Sequence, residues 1–345
     1  MPETAIVILN WNGLIFLKQF LGQVVSLSGD TGTTVYIADN GSKDGSAEWV
    51  LGNFPKVKLI RLDRNYGFAG GYNLALGQIS AKYYVLLNSD IEVTAGWLEP
   101  LLDYMEKNQD VASCQPKILS YNRRNLFEYA GAAGGFIDKM GYPLCRGRIF
   151  SKVEEDKGQY DNQIDIFWST GACMVVRADS WEKAGGFDPD FFAHMEEIDL
   201  CWRFHKMGLR VAYIPCSKVY HVGGGALSYN SPYKTYLNFR NSLYFLYKNL
   251  PEKNFRRKIL IRKILDGIAA VFFLCKFQFK SVRSVWLAHV DFYKNIGKLK
   301  EERLLVKKYG NKEPLSLILN KYLVFEFYIK QNKKYTSLTG NTRCK

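Results

Sequence analysis

The stretch Tyr83–Val93, YYVLLNSDIEV, decides how the rest of the chain is read. Tyr83 to Leu87 suit a strand covered on both faces of a sheet. Asn88, Ser89 and Asp90 then interrupt the apolar run with an amide, a hydroxyl and a carboxylate. All three residue types favour turns, so a turn alone would account for them. What lies at the ends of the neighbouring strands decides whether Asp90 does more.

Upstream, strand and helix patterns alternate. Strands are predicted at Ala5–Leu9, Thr34–Ala38, Val57–Leu62, Tyr83–Leu87 and Val111–Gln115. Helices are predicted at Leu14–Leu27, Asp44–Leu51, Ala69–Ile79 and Ala95–Lys107. This rhythm implies an α/β fold with a largely parallel sheet flanked by helices. Ligands bind such sheets beyond the carboxyl ends of the strands. The first strand ends in Asn10-Trp11-Asn12-Gly13 and the second in Asp39-Asn40-Gly41-Ser42. The third ends in Asp63-Arg64-Asn65-Tyr66-Gly67-Phe68 and the fourth in Asn88-Ser89-Asp90. Four short polar loops at one edge describe a polar cleft.

No G-x-G-x-x-G follows the first strand, which disfavours an NAD-binding fold. The run Gly67-Phe68-Ala69-Gly70-Gly71 opens a helix after the third strand instead. It is compatible with close approach to a phosphate and equally with tight helix–strand packing.

From about Glu128 to Ile166 the pattern gives way to Gly-rich, mixed-charge sequence, expected to be an irregular insertion. A strand with a small-residue bend at Thr170-Gly171-Ala172 is predicted over Ile166–Arg177, then a helix at Ala178–Ala184. The acidic stretch FDPDFFAHMEEIDLCWRFHKMG follows at 187–208, then a strand at Val211–Ile214 and the segment Pro215 to His221. From about Tyr233 the chain reads as helical and basic.

The 345 residues carry a formal charge of +14, unevenly spread. Residues 231–345 hold 25 Lys/Arg against 7 Asp/Glu, and residues 1–230 hold 22 against 26. The charge therefore concerns what the C-terminal segment touches, an anionic partner. No nucleic-acid-binding motif accompanies it. Seven cysteines, including Cys344, form no CxxC pair, which argues against a disulfide framework or structural zinc and for a reducing compartment. No basic leader precedes the first strand, and no run reaches about 18 uncharged apolar residues, so neither a signal peptide nor a membrane-spanning helix is expected.

Glu196, Glu197 and Asp199 fall in the first turn of a predicted helix. The helix dipole favours carboxylates there, but three acids in four positions crowd like charges. Glu196 and Asp199 share a face, with Glu197 about 100° away. A carboxylate at a cleft edge can serve as a general base. Asp90 offers a hard oxygen ligand for Mg²⁺ or Mn²⁺, and His221, past the last strand, a second ligand.

The ordered set AIVILNWNG, IADNGSKDGS, RNYGFAGGYN, LLNSD, STGACMVVR, GGFDPDFFAHMEEIDLCWR and IPCSKVYH resembles the family 2 glycosyltransferases of GT-A fold. It is most similar to the rhamnosyltransferase-like members that build bacterial surface polysaccharides. The resemblance runs from residue 5 to about 221. It implies that Asp39 contacts the nucleotide base, with Asn10 and Asn12 flanking the same pocket. Asn65, Gly67 and Asn73 would lie beside the diphosphate and ribose. Asn88-Ser89-Asp90 stands for the family's D-x-D motif, with Asn88 in place of the first acid and Asp90 as the metal-binding one. His221 would complete the metal site. Glu196-Glu197 matches the family's Glu-Asp pair, with Glu197 the expected base and Glu196 the alternative. Asp199 would orient the acceptor or the helix.

The implied enzyme is an inverting transferase using a nucleoside-diphosphate sugar, dTDP-rhamnose foremost and UDP- or GDP-sugars next, and a divalent cation. Its acceptor would be a lipid-linked or oligosaccharide hydroxyl. Residues 1–230 would form the catalytic domain, with a nucleotide-sugar half to about 110 and an acceptor half from 111. Residues 231–345 would form a helical basic extension, contacting an anionic membrane at the inner face of the plasma membrane of a cytoplasmic protein. The rivals are a sugar-1-phosphate nucleotidyltransferase, which would want a Gly-rich basic loop after the first strand, and a non-catalytic nucleotide-sugar-binding protein, which would be expected to lose these acids.

Overall fold

The computed structural model describes residues 3–29, 32–223, 231–253, 255–310, 312 and 314–339. Chain order opens with β1 (Thr4–Asn10), α1 (Leu14–Leu27), β2 (Thr33–Asn40), α2 (Ser46–Asn53), β3 (Lys58–Leu62), α3 (Gly67–Leu76) and β4 (Tyr83–Asn88). Then come β5 (Ile91–Val93), α4 (Glu99–Lys107) and β6 (Val111–Ser120). Strands β3, β2, β1 and β4 pair in parallel, the expected arrangement. Their alternating side chains build two cores. Ala5 and Val7 face one apolar cluster, with α3. Ile6 and Ile8 face the other, with α1 and α4. A period of two on a sheet covered on both sides requires this division.

The segment expected to be irregular is in fact ordered into short strands: β7 (Gly135–Asp138), β8 (Pro143–Cys145), β9 (Arg148–Ile149), β10 (Lys152–Val153) and β11 (Ile164–Asp165). Two- to four-residue strands leave no periodicity to read, which is why the sequence shows only glycine and mixed charge. Next come β12 (Cys173–Arg177), α5 (Ala178–Ala184), α6 (Glu196–Lys206) and β13 (Arg210–His221). The predicted strand over Ile166–Arg177 keeps only its last five residues.

The main sheet runs β11-β13-β6-β12-β4-β1-β2-β3, and β5 pairs with β13. Strand β12 is antiparallel to both β4 and β6, while β13 is parallel to β6. Strand β13 extends seven residues past the predicted Ile214, through a register shift between Ile214 and Lys218.

The rest comprises α7 (Pro232–Asn249), α8 (Phe255–Cys275), α9 (Phe279–Lys294), α10 (Ile296–Lys308), β14 (Ile318–Leu319), α11 (Leu323–Tyr328) and α12 (Tyr335–Thr339). It is helical except for β14, which adds a fifth strand to the sheet β10-β9-β8-β7-β14. Leu243, Phe245 and Leu246 of α7 sit in the same apolar cluster as Trp202 of α6 and Phe167. The break in composition near residue 230 thus falls on a continuous core, and 230 itself lies outside the described residues. The six described cysteines are free thiols; Cys344 lies outside the described residues.

Candidate active site

Parallel register aligns the polar strand ends. Asn10 pairs with Asp39 across β1 and β2, and Leu9 with Asn88 across β1 and β4. Asn10 is buried and donates from Nδ2 to Ser42 Oγ at 3.2 Å and Ser46 Oγ at 2.8 Å. Its Oδ1 is buried without a partner. Asn12, at φ 51°, accepts at Oδ1 from the Lys43 N–H at 2.8 Å. Asp39 is buried at this edge, its carboxylate 3.4 Å from the Ser42 N–H. Ser89 lies against the loop after β1, its Oγ 3.3 Å from where a Gly13 Cβ would stand.

The glycine-rich run proves to be packing. A Cβ on Gly71 would stand 2.8 Å from Leu9 Cδ1, and one on Gly67 (φ +73°) 2.5 Å from Phe192. The N–H groups of Phe68 and Ala69 donate to the Phe192 carbonyl at 2.6 and 3.2 Å. These amides at the start of α3 are therefore turned to the acidic loop, not to a phosphate. Asn65 Oδ1 accepts from the Gly67 N–H at 2.8 Å and from Asn40 Nδ2 at 3.1 Å. Asn40, which the sequence did not single out, also accepts from the Tyr66 N–H at 3.0 Å and so shapes this loop. Asn73, expected beside the diphosphate and ribose, has its side chain engaged within the protein. Its amide closes on the Phe187 main chain, at 2.7 and 3.0 Å, and struts α3 to the acidic loop.

Asp90 and His221 are brought together as the sequence predicts. Strand β5 pairs with β13 so that Ile91 faces His221, which sets His221 beside the residue before Ile91. His221 Nε2 lies 3.1 Å from Asp90 Oδ1. The Gly223 N–H donates to Asp90 Oδ2 at 3.1 Å. Burial alone would raise the Asp90 carboxyl, but the charge and hydrogen bond of His221, together with the Asp90 and Gly223 N–H groups, hold the carboxyl below its usual range. Burial alone would lower the His221 imidazole, but Asp90 and then Glu128 hold it well above its ordinary value.

Glu128 is a participant that the sequence reading missed. Its Oε2 lies 3.1 Å from His221 Nδ1, a charge contact whose angle falls short of a formed hydrogen bond. Burial would raise its carboxyl, but His221 holds it low. No spacing links residues 128 and 221; only the pairing of β13 with β6 carries them together.

Asp90 and His221 fit a divalent cation. The 3.1 Å between them is that of a hydrogen bond, so an ion takes both atoms only by displacing the Nε2 proton. The carboxylate oxygen suits Mn²⁺ or Mg²⁺, while the imidazole nitrogen is a softer donor that favours a transition metal over Mg²⁺. Asn88 donates its main-chain N–H to the Ala172 carbonyl at 2.9 Å, which anchors the turn. Among the described residues one group of three carboxylates could share an ion: Asp188, Asp190 and Glu302. Lys248 and Lys298 already pair with these acids.

Glu196 and Glu197 open α6, directly after a strained loop. Phe192, His194 and Met195 have φ of 61°, 71° and 77°, the left-handed region where non-glycine residues cost about 1–3 kcal/mol each. Arg240 and Asn241 of α7 hold this loop. Arg240 donates to the Asp190 carbonyl at 2.7 Å, and Asn241 Nδ2 to those of Phe191, Ala193 and His194 at 2.7–2.8 Å. One Oε2 of each glutamate is buried without a hydrogen-bond partner. Burial and then the charge of Glu197 push the Glu196 carboxyl well up. Burial pushes the Glu197 carboxyl up to about 7, against hydrogen bonds from its own and the Gly171 N–H. Gly171 precedes β12, at the carboxyl end of β4, so Glu197 reaches the edge that carries Asn88.

Asp199 serves the helix rather than this edge. Its Oδ2 pairs with Arg203 at 3.0 Å and Lys248 at 3.5 Å, and its Oδ1 accepts from Asn249 at 2.7 Å. It thereby ties α6 to α7. His194, also missed, is buried with an unpartnered Nε2, and burial pushes its imidazole down to about 4, so it is neutral.

The sequence model of the family described as Glycosyl transferase family 2 matches residues 5–183, just over half of the chain. A curated relative, the N-acetylglucosaminyl-diphospho-decaprenol L-rhamnosyltransferase of Mycobacterium tuberculosis (strain CDC 1551 / Oshkosh), is 24% identical over 221 residues, covering 59% of this chain and 71% of its own. Among solved structures, GalNAc-T7 with UDP, GalNAc and Mn²⁺ matches at TM-score 0.55 and 14% identity, over 72% of this chain and 48% of its own. The mannosyltransferase PcManGT of Pyrobaculum calidifontis, in complex with GDP-Man and Mn²⁺, matches at TM-score 0.52 and 12% identity, over 85% and 87%. The folds agree: a GT-A core with a helical C-terminal region.

Proposed function

Because the chain belongs to glycosyl transferase family 2, we propose that it transfers a sugar, L-rhamnose foremost, from a nucleoside diphosphate to a hydroxyl of a lipid-diphosphate-linked saccharide. The rhamnosyl donor and the lipid-linked acceptor are suggested by the mycobacterial relative, whose name states both. The carrying observation is the Glu196–Glu197 pair: two buried carboxyls, each with an unpartnered oxygen, one with its pKa raised to about 7. A carboxylate of that basicity takes a proton from a hydroxyl near neutral pH more readily than an ordinary glutamate.

Glu197 takes the proton of the acceptor hydroxyl as that oxygen attacks the anomeric carbon. The bond to the diphosphate breaks on the opposite face, so the carbon inverts. The charge of Glu197 helps to keep the Glu196 carboxyl protonated, and Glu196 takes over as base if Glu197 is not it. Asp39, Asn10 and Asn12 hold the nucleoside, and Asn65, Gly67, Asn88 and Ser89 border the donor. Asp90 and His221 hold Mn²⁺ or Mg²⁺, whose charge would neutralise the leaving diphosphate. Glu128 fixes the ring of His221 from behind, the usual arrangement for a metal-ligating histidine. Residues 1–230 carry this chemistry. The basic remainder contacts the membrane that holds the acceptor, on the inner, cytoplasmic face. Among the described residues, no helix is long and apolar enough to cross a membrane.

The test is nucleoside diphosphate release from a panel of donors, with Mn²⁺ or Mg²⁺ and membrane extract as acceptor. Release from dTDP-rhamnose that depends on extract and metal is expected. Release from another donor alone would move the sugar assignment. No release from any donor would sink the reading.

A further inference from the structure

In the hairpin α8–α9, helix α8 buries two charged side chains and leaves a strip of apolar ones exposed. Along α8 the residues turned inward include Arg262 and Asp266, joined at 3.1 Å, with His289 of α9 3.2 Å from the same carboxylate. The Arg262 guanidinium lies 3.8 Å from the centre of the Tyr142 ring. The outward face is apolar. Leu260, Ile264, Ile268, Val271 and Phe272 follow one another at helical spacing, each at least half exposed. At the tip Phe277 is 79% exposed and Phe279 62%. Water-facing helices carry the opposite pattern, and a contiguous apolar strip of this length marks a contact surface.

We propose that this hairpin is a docking surface for an anionic lipid bilayer, lying in the interface with its apolar strip and phenylalanine tip among the acyl chains. Charge selects this occupant. Residues 255–294 contain nine Lys/Arg and two Asp/Glu. Neither acid is on the apolar strip: Asp266 is buried in its pair, and Asp291 accepts from the Tyr236 hydroxyl in the wall of the cleft at the junction with α7. Lys276 and Lys280 flank the tip. Lys280 and Arg283 also line an open cleft of about 520 Å³ at the junction with α7. Among the described residues, neither side chain has an ion-pair partner. Helices that lie in a membrane interface combine this apolar face with this one-signed charge. A second copy of the chain would bring two such positive surfaces together and be repelled.

The hairpin is coupled to the catalytic acids. The Ser284 hydroxyl of α9 donates to the Pro232 carbonyl of α7 at 2.7 Å. The same α7 holds, through Arg240 and Asn241, the loop that precedes Glu196. Docking would therefore set the catalytic edge at a constant height above the bilayer. This purpose rests on the lipid-linked acceptor proposed above; the binding itself does not.

The experiment is sedimentation of the full chain with phosphatidylcholine vesicles, with and without phosphatidylglycerol, containing neither donor nor acceptor. Partition into anionic vesicles at least tenfold above the neutral ones, falling as salt is raised, is expected. The double variants Phe277→Ser/Phe279→Ser and Lys276→Glu/Lys280→Glu should each lower it about tenfold or more, with circular dichroism and unfolding temperature unchanged. Equal partition of wild type and both variants, or no binding to anionic vesicles, overturns the proposal. So does a concentration-dependent dimer, without vesicle binding, that the phenylalanine variant dissolves. A protein that binds vesicles but releases no nucleoside diphosphate would refute the enzymatic reading and leave the docking surface standing.

Discussion

Asp90 and Glu196 are buried, and Glu197 is half-buried with one carboxyl oxygen shut away from water, yet the surroundings of Asp90 and of the pair differ. Asp90 faces His221, accepts from the Gly223 N–H, and is held as a carboxylate. Glu196 and Glu197 face each other with no cation between them, and both carboxyls are pushed up. Burial acts in the same direction on all three, so the partner decides the charge state. A compensated carboxylate can hold a cation. An uncompensated one is kept basic and suits proton removal. The comparison separates two chemical jobs at one edge of a sheet.

The sharpest way to break it is Glu197→Gln. Loss of the base should lower kcat by about 10²–10⁴-fold. Donor affinity, measured separately, should hold within a few fold. Full turnover by this variant together with loss in Glu196→Gln would move the base one residue back.

Asp90→Asn and Glu128→Gln test the compensated side. Mn²⁺ affinity, read by electron paramagnetic resonance without substrate, should fall in both. A residue behind a ligand typically contributes about 10–100-fold in metal affinity, so Glu128→Gln should lie in that range. Unchanged affinity in Glu128→Gln would reduce the acid to a packing role.

The pH dependence sharpens the contrast further. With Glu197 near 7, kcat/KM should fall about tenfold per pH unit below that value and level off above it. A limb near the ordinary glutamate value of 4.5 would show that the pair is not as isolated as the structure implies.

The smallest effect is on stability. A carboxyl raised on folding keeps its proton in the native state, so the native state binds more protons than the unfolded one between pH 4.5 and about 7. Its contribution to stability is therefore lost as pH rises through that window. Glu197→Gln should match wild type below pH 4.5 and exceed it by about 3 kcal/mol at pH 8 in urea unfolding. A lead that is constant with pH would mean that packing rather than charge is responsible.

Much of this site was legible in the chain itself. Asn10, Asp39 and Asn88 could be placed at one edge because parallel strands share their carboxyl ends. Glu196 and Glu197 could be placed on a helix start by their position before an apolar-periodic run. The contact of Asn73 with the Phe187 main chain could not be read, because an asparagine amide near a glycine-rich turn looks the same in sequence whatever it meets. Glu128 was invisible because it sits in a segment whose strands are too short for a period to show. Strand β14 was hidden for the same reason.

The sequence by itself determined the alternation of strands and helices, the polar carboxyl edge, the lone acid Asp90 at the end of a strand and the adjacent acids Glu196 and Glu197 at the start of a helix. These are local properties, written in hydrophobic period and in residues near one another in the chain. Only the tertiary structure decided which acids are compensated. Pairing β5 with β13 brings His221 to Asp90 across 131 positions, and pairing β13 with β6 brings Glu128 behind it. It also decided that Arg262 and Asp266 of α8 face inward while Leu260, Ile264 and Ile268 face outward. Charge state and exposure depend on what packs against a group, and that neighbour is seldom close in sequence.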